Sequence, residues 1–249
     1  MLINTKTLIL LIIMFTTSIF AGKRSDIDVN ADYNILTTTA ETMTKGELTF
    51  NSYELAFTGL SYGATDNLQL TFTTLLPVVK GVPFVGAITG KYKLVDNSNI
   101  ALALQPAFLL IDEGEDIATS VGLTFMLDFI LNDDNVVTLS QASHLPISGK
   151  NREISLFDYD YVLGDLLFTM TAALSSRVSN NLKLILEITA AADYVDGELH
   201  MIEDIMFVNY GIRFFNKDLA VMLSFLKPIT TNGEMIIMGL PYVSFTARF

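Results

Sequence analysis

The 249-residue chain holds two histidines, His144 and His200, and no cysteine. Ser140 and Ser143 lie close to His144, and a histidine beside a serine is the raw material of a nucleophilic pair. Such a pair also needs an acid to orient the imidazole. The nearest one on the same expected hairpin is Asp128. With a turn centred near 133–134, His144 faces about Leu123 and Asp128 faces about Leu139. At ~3.3 Å per residue that offset is roughly 16 Å, far beyond hydrogen-bond reach. His200 falls in the stretch DGELHMIED (196–204), expected to be a solvated outer loop. Neither histidine has a neighbour at metal-ligand spacing. The expectation is no catalytic residue, no metal and no cofactor. A lipid-acting enzyme using His144 is the alternative.

The other chemistry-bearing residues are charges set among apolar neighbours. Alternation turns eleven of them to one side of their strands. Six are basic: Lys91, Lys93, Arg177, Lys183, Arg213 and Arg248. Five are acidic: Glu54, Asp128, Asp165, Glu187 and Asp193. Either they pair across an enclosed space, as buried charges must, or the basic ones ring a conducting pore and favour anions. The acidic stretches DEGED (112–116) and 196–204 sit at the other end. They are solvated or bind divalent cations, although DEGED lacks the ligand spacing of a calcium loop.

The elements that carry these charges are long strands. In Ile117–Leu131, Val121, Leu123, Phe125, Leu127, Phe129 and Leu131 alternate with Ser120, Gly122, Thr124 and Asp128. Leu163–Val178 and Leu182–Tyr194 alternate likewise. Strands of soluble sandwiches are commonly about five or six residues long, and these are far longer. Tilted strands that cross a bilayer need about 9–11 residues. Short polar turns separate the strands: TDN (65–67), DNSN (96–99), NDDN (132–135), SNN (179–181) and NKD (216–218). Asn and Asp suit such turns because they bond to their own main chain. The chain is 51% hydrophobic with a mean hydropathy of +0.45, yet no apolar run is long enough for a membrane helix. Apolar residues spread over alternating strands explain both facts. The formal charge of −12 argues against nucleic acid, whose phosphates need Lys and Arg clusters.

Residues 1–21, MLINTKTLILLIIMFTTSIFA, have a basic start, a short apolar core and a small residue at the end. They read as a cleavable secretory signal peptide. Residues 22–31 read as a lead-in and 32–249 as one transmembrane domain. Its fold class is all-β: a single antiparallel up-and-down β-barrel of about 12 strands, with 10 as the alternative.

The final strand, Met235–Phe249, sets Val243, Phe245, Ala247 and Phe249 on one face. Tyr242, Ser244, Thr246 and Arg248 lie on the other. This ending resembles the assembly signal of Gram-negative outer-membrane barrels, which implies that the barrel assembly machinery reads it. A second stretch, Tyr33–Leu70, resembles the opening of an uncharacterised family of such barrels. The matching residues are Thr39, Ala40, Lys45, Gly46, Glu47, Tyr62, Gly63, Thr65 and Asp66. The resemblance implies the fold and an outer-membrane location, with outer-membrane lipids and lipopolysaccharide as neighbours. It implies no substrate, and the oligomeric state stays open.

Barrels of this kind keep both termini and their short turns in the periplasm. The last strand then runs inward, and counting back makes Leu48–Tyr62 an inward strand too. An outward strand must precede it, and Asp32–Ala40 is the candidate. Leu48–Tyr62 does not hold one phase, because Leu48 and Phe50 differ in parity from Tyr53, Leu55 and Phe57. A bulge near Asn51–Ser52 would repair it. Aromatic girdles are expected from Tyr62, Tyr92, Phe129, Phe214 and Phe249 at one end and from Phe157, Tyr159 and Tyr161 at the other. No stretch is long enough for a globular plug. The functional expectation is a narrow passive pore for small solutes or ions. The alternative is a filled-lumen barrel with a structural or surface-interaction role.

Overall fold

The computed structural model describes residues 27–54, 57–75, 84–112, 117–148, 153–156, 159–162, 166–195, 198–229 and 239–249. Among these, twelve strands close into one antiparallel barrel. Its wall is built from β1 (Leu48–Tyr53), β2 (Phe57–Thr65), β3 (Leu68–Leu75), β4 (Phe84–Asp96), β5 (Ile100–Asp112), β6 (Ile117–Ile130) and β7 (Asn135–Ser148). A separate hairpin of β8 (Glu153–Leu156) and β9 (Tyr159–Val162) follows. The wall resumes with β10 (Leu166–Ser179), β11 (Leu182–Val195), β12 (Glu198–Phe215), β13 (Leu219–Pro228) and β14 (Leu240–Arg248). β1 pairs with β14, from Thr49 opposite Arg248 to Tyr53 opposite Ser244, and this closes the sheet and removes both edges.

The five polar turns lie together at one end, here the turn end. Three of them use the same device. The Asn97 side-chain oxygen accepts from the Asn99 and Ile100 amides, Asn132 from Asp134 and Asn135, and Asn216 from Asp218 and Leu219. Phe249 also lies at this end, its amide bonded to the Leu48 carbonyl. The opposite end is the loop end.

Outward positions carry the apolar surface. Leu60, Ile88, Phe125, Leu186, Leu223 and Val243 are all exposed, although nothing in a water-soluble β-sandwich would leave so continuous a band uncovered. Near the turn end Tyr62, Tyr92, Phe214 and Phe249 are exposed on the outside, where a girdle belongs, and Phe129 is partly so. The side chains of Phe157, Tyr159 and Tyr161 lie outside the described residues.

Two expectations about the start of the wall are corrected. Leu48–Tyr62 is not one bulged strand. It is a hairpin of β1 and β2 that turns at Glu54, whose φ is 53°. β1 is therefore the outward strand that parity requires. Asp32–Ala40 forms no strand; its ladder contribution is one bridge, Tyr33 to Thr38. The barrel wall begins at Leu48, and residues 32–47 go elsewhere.

Candidate functional site: a stoppered lumen

Residues 27–47 fold back into the barrel from the turn end. The segment enters beside β12, where the Val29 amide bonds the Asn216 carbonyl. It rises to a tip at 34–37, closed by the Asn34 amide bonding the Thr37 carbonyl at 2.8 Å. It then descends to Lys45–Glu47 and joins β1. Residues 28–32, 34, 35 and 38–43 are buried. The interior of a twelve-stranded barrel is too wide for wall side chains alone to fill, and this segment fills its lower part.

The inward charges hold it. Arg213 is 1% exposed. Its Nη1 donates to the Asn30 carbonyl at 2.7 Å and to Asp28 Oδ2 at 3.3 Å. Its Nη2 donates to the carbonyls of Tyr33 and Asn34 at 2.7 and 2.6 Å. Lys183 pairs with the same Asp28 carboxylate and lies over the Phe215 ring. Burial alone would raise the Asp28 pKa, but Lys183 and Arg213 outweigh it and hold the carboxyl below its ordinary value.

Lys91 donates to the carbonyls of Asp32 and Glu41 at 3.0 and 3.1 Å and sits over the Tyr33 ring. Lys93 bridges Glu41 and Asp96. Glu187 meets the tip from the opposite wall. Its carboxylate accepts from the amides of Ile35, Leu36 and Thr37, and from Asn209 Nδ2 at 3.0 Å. Gln69 donates to Asp32 Oδ2 at 2.6 Å and accepts from the Met43 amide. An irregular segment has unpaired main-chain groups, and the wall supplies cations for its carbonyls and an anion for its amides.

Lys91, Lys93, Lys183 and Arg213 therefore form no ring around an open constriction. They lie against the segment. Arg248 pairs with Glu47 at 3.1 Å, tying the last strand to the foot of the segment. Arg177 is partly exposed and pairs with Asp134 of a neighbouring turn. Asp128 is fully buried and accepts from Thr138 Oγ1 at 2.8 Å. Glu54 is not on a luminal strand position. It sits in the β1–β2 turn at the loop end, where its Oε1 accepts from the Val243 amide at 2.6 Å. Asp193 is partly exposed in β11, and Asp165 lies outside the described residues.

The two halves of the N-terminal sequence resemblance touch each other. The Gly46 amide donates to the Gly63 carbonyl at 2.7 Å, and the Gly63 amide to the Glu47 carbonyl at 2.9 Å. The Lys45 amide donates to Asp66 Oδ1. Gly46 turns with φ +85°, and a Cβ on Gly63 would lie 2.1 Å from the Thr44 carbonyl oxygen. The Lys-Gly-Glu and Tyr-Gly-x-Thr-Asp segments are thus one clasp, pinning the descending limb to the end of β2.

Above the tip the wall changes character. Inward positions there include Phe57, Leu75, Ala87, Leu109, Leu167 and Phe207, none of them buried. They face a vestibule toward the loop end. Its floor includes Leu36, 45% exposed at the tip of a segment that the wall encloses on every side.

His144 lies on this upper wall. It is opposite Gly122, and Asp128 is opposite Thr138, each one residue from the expected partner. The imidazole lies against Gly122, where a Cβ would approach its Nδ1 to 2.7 Å. Ser143 faces outward and bonds Gln141, while Ser140 bonds Thr37 of the segment at 2.7 Å. Neither serine is presented to His144. His200 belongs to β12, opposite Asp193, rather than to a loop. Among the described residues no group of three His, Cys, Asp or Glu is placed to hold a metal.

The four assembly-signal residues, Val243, Phe245, Ala247 and Phe249, are not buried, while Tyr242, Ser244 and Thr246 face inward and are.

No protein-family model matches the chain, and no curated protein matches it. Among solved structures the chain is similar to the NanC porin, at 8% identity and a TM-score of 0.48, over 81% of this chain and 97% of that one. It is also similar to the KdgM porin in complex with disordered oligogalacturonate, at 10% identity and 0.49, over 82% and 96%. A third likeness is to the outer membrane protein OprD from Pseudomonas aeruginosa, at 14% identity and 0.40, over 78% and 58%. The barrel is defined by the chain's own strand pairing.

Proposed function

We propose that the chain is an exported outer-membrane β-barrel that forms a route for small solutes, closed at rest by residues 27–47. The supporting observation is the seating of that segment across the turn end of the lumen. It is held by hydrogen bonds and ion pairs to Arg213, Lys91, Lys183 and Glu187, and by Val29, Ile35 and Ala40, each buried in a small apolar cluster with wall residues. The polar contacts exchange for water when the segment leaves, while exposing the three small apolar clusters adds to the cost of release. The lumen above it faces the loop end through residues that are not buried. The barrel acts without catalysis, with outer-membrane lipid and lipopolysaccharide around its apolar band. The assembly machinery reads its terminal strand through Val243, Phe245, Ala247 and Phe249. The same seating favours a second reading, a permanently filled barrel with a structural or surface role.

A cysteine lock separates the two. Thr37 Oγ1 and Ser140 Oγ are 2.7 Å apart, and the chain has no cysteine of its own. The Thr37→Cys/Ser140→Cys variant of the chain from Gly22 onward is inserted into planar bilayers and driven by voltage. Under the closed-route reading it opens discrete conductance steps when reduced and none when oxidised. Equal silence in both states, from a barrel shown to be folded, selects the filled-lumen reading.

A further inference from the structure

From the vestibule above the stopper we infer a binding site for a small apolar molecule of the hydrocarbon or medium-chain alcohol class. The inference rests on the barrel reading and names a ligand class for it, but it does not require the stopper to move.

Three observations carry it. The first is the lining. Phe57, Leu75, Ala87, Leu109, Leu167 and Phe207 occupy inward register positions above the tip. Phe57 is 40% exposed although it points into the barrel. Lumens of water-filled barrels are polar, and large inward apolar side chains left accessible are costly unless something apolar covers them.

The second observation is charge. Among residues whose side chains are described, Asp193 is the one carboxylate and His144 the one imidazole at inward strand positions of this zone, and no Lys or Arg lies there. Among these described residues an ionic solute would find little counter-charge. Hydroxyls at inward positions, among them Thr73, Thr89, Ser120, Thr124 and Thr169, supply polar groups that orient an otherwise apolar ligand.

The third is enclosure. The barrel wall surrounds the site, and the floor includes Leu36, a leucine whose neighbours Ile35 and Thr37 are fixed through their amides by Glu187. A folded protein partner does not fit inside a closed wall, and an apolar floor would gain nothing from water.

The chain has no tryptophan, so one introduced residue is a clean reporter. Leu109→Trp places it on the inward face and Phe108→Trp on the outward face of the same strand. Each variant of the chain from Gly22 onward is reconstituted in vesicles and titrated with 10-bromodecanol, then with decanol as competitor. The inward reporter is expected to show saturable quenching that decanol reverses, and the outward reporter only unsaturable quenching from the bilayer. Adding Ala87→Arg, across the β4–β5 pair from Leu109, is expected to raise the half-saturation concentration about tenfold or more. Leu167→Trp, from β10, reports the same site should Leu109→Trp disturb folding. Quenching of either inward reporter by iodide with no saturable bromodecanol phase overturns the inference. Because no conductance is read, failure here leaves the closed-route reading standing, and the cysteine lock tests that reading without any ligand.

Discussion

The lower and upper halves of one lumen obey different rules. In the lower half Lys91, Lys93, Lys183, Glu187 and Arg213 are all committed to main-chain groups or counter-ions of the N-terminal segment. In the upper half the inward positions are mostly apolar or hydroxylic and stand open to the vestibule. The same alternating strands build both zones, so the difference lies in which residues the period-two pattern turns inward at each height. A wall can therefore have one binding surface for its own chain and another for something foreign.

The comparison breaks most sharply with a charge placed at matched inward positions. Ala103 is fully buried in a cluster with Ala40, Ala101 and Met126. Ala107 lies higher on the same inward face and is open to the vestibule. Ala103→Glu is expected to destabilise refolded barrels by roughly 3–5 kcal/mol, read as a lowered urea midpoint, because it forces a third carboxylate into a filled cluster beside Lys93, which already pairs with Glu41 and Asp96. Ala107→Glu should change that midpoint little. Equal effects would erase the distinction between the zones.

Removing the main clamp comes next. Arg213→Met strips the carbonyls of residues 30, 33 and 34 of their donor and leaves Lys183 alone with Asp28. A loss of about 3–5 kcal/mol is expected, with protease cleavage within residues 27–47 while the wall resists. A Gly63→Ala change drives a Cβ at the Thr44 carbonyl and should cost about 1–3 kcal/mol, again read as selective cleavage of the segment.

Acid gives a milder and reversible test. The Asp28 pKa is lowered in the folded state, so its pairing contributes stability above the ordinary carboxylate value of 3.8. That contribution is lost as pH falls below 3.8 through the lower folded value. Release of the segment, followed by a label on Thr37→Cys, should therefore begin below pH 3.8, and Asp28→Asn should abolish that onset. Arg177→Ala is the smallest change. Its pair with Asp134 is partly solvated, and a loss under about 1 kcal/mol is expected.

The wall is legible in the sequence because its signals are local. Alternation, Asx turns and the terminal strand predict a closed barrel with an even strand count. The luminal segment gives no such signal. It has no period of its own, and its partners, Lys91, Glu187 and Arg213, are remote in sequence. Parity correctly demands one more outward strand, but Asp32–Ala40 is the wrong place for it, and it enters only because Leu48–Tyr62 reads as continuous. The clue is the apparent phase break at Tyr53 and Phe57. Taking every large apolar residue as outward turns that break into a bulge, whereas Phe57 is an apolar residue that faces inward. The same alternation places the described charges on the inward face, Glu54 in its turn excepted, but only the fold shows what they hold.

The segment's anchors also dictate an order of events. Residues 27–47 are made before any strand of the wall, yet their partners lie as far along the chain as Arg213 and Arg248. Glu187 and Arg213 must arrive before the tip has anything to bind, so seating belongs to the end of assembly. Until β11 and β12 are in place, the nascent barrel carries its own closure as an unattached leader.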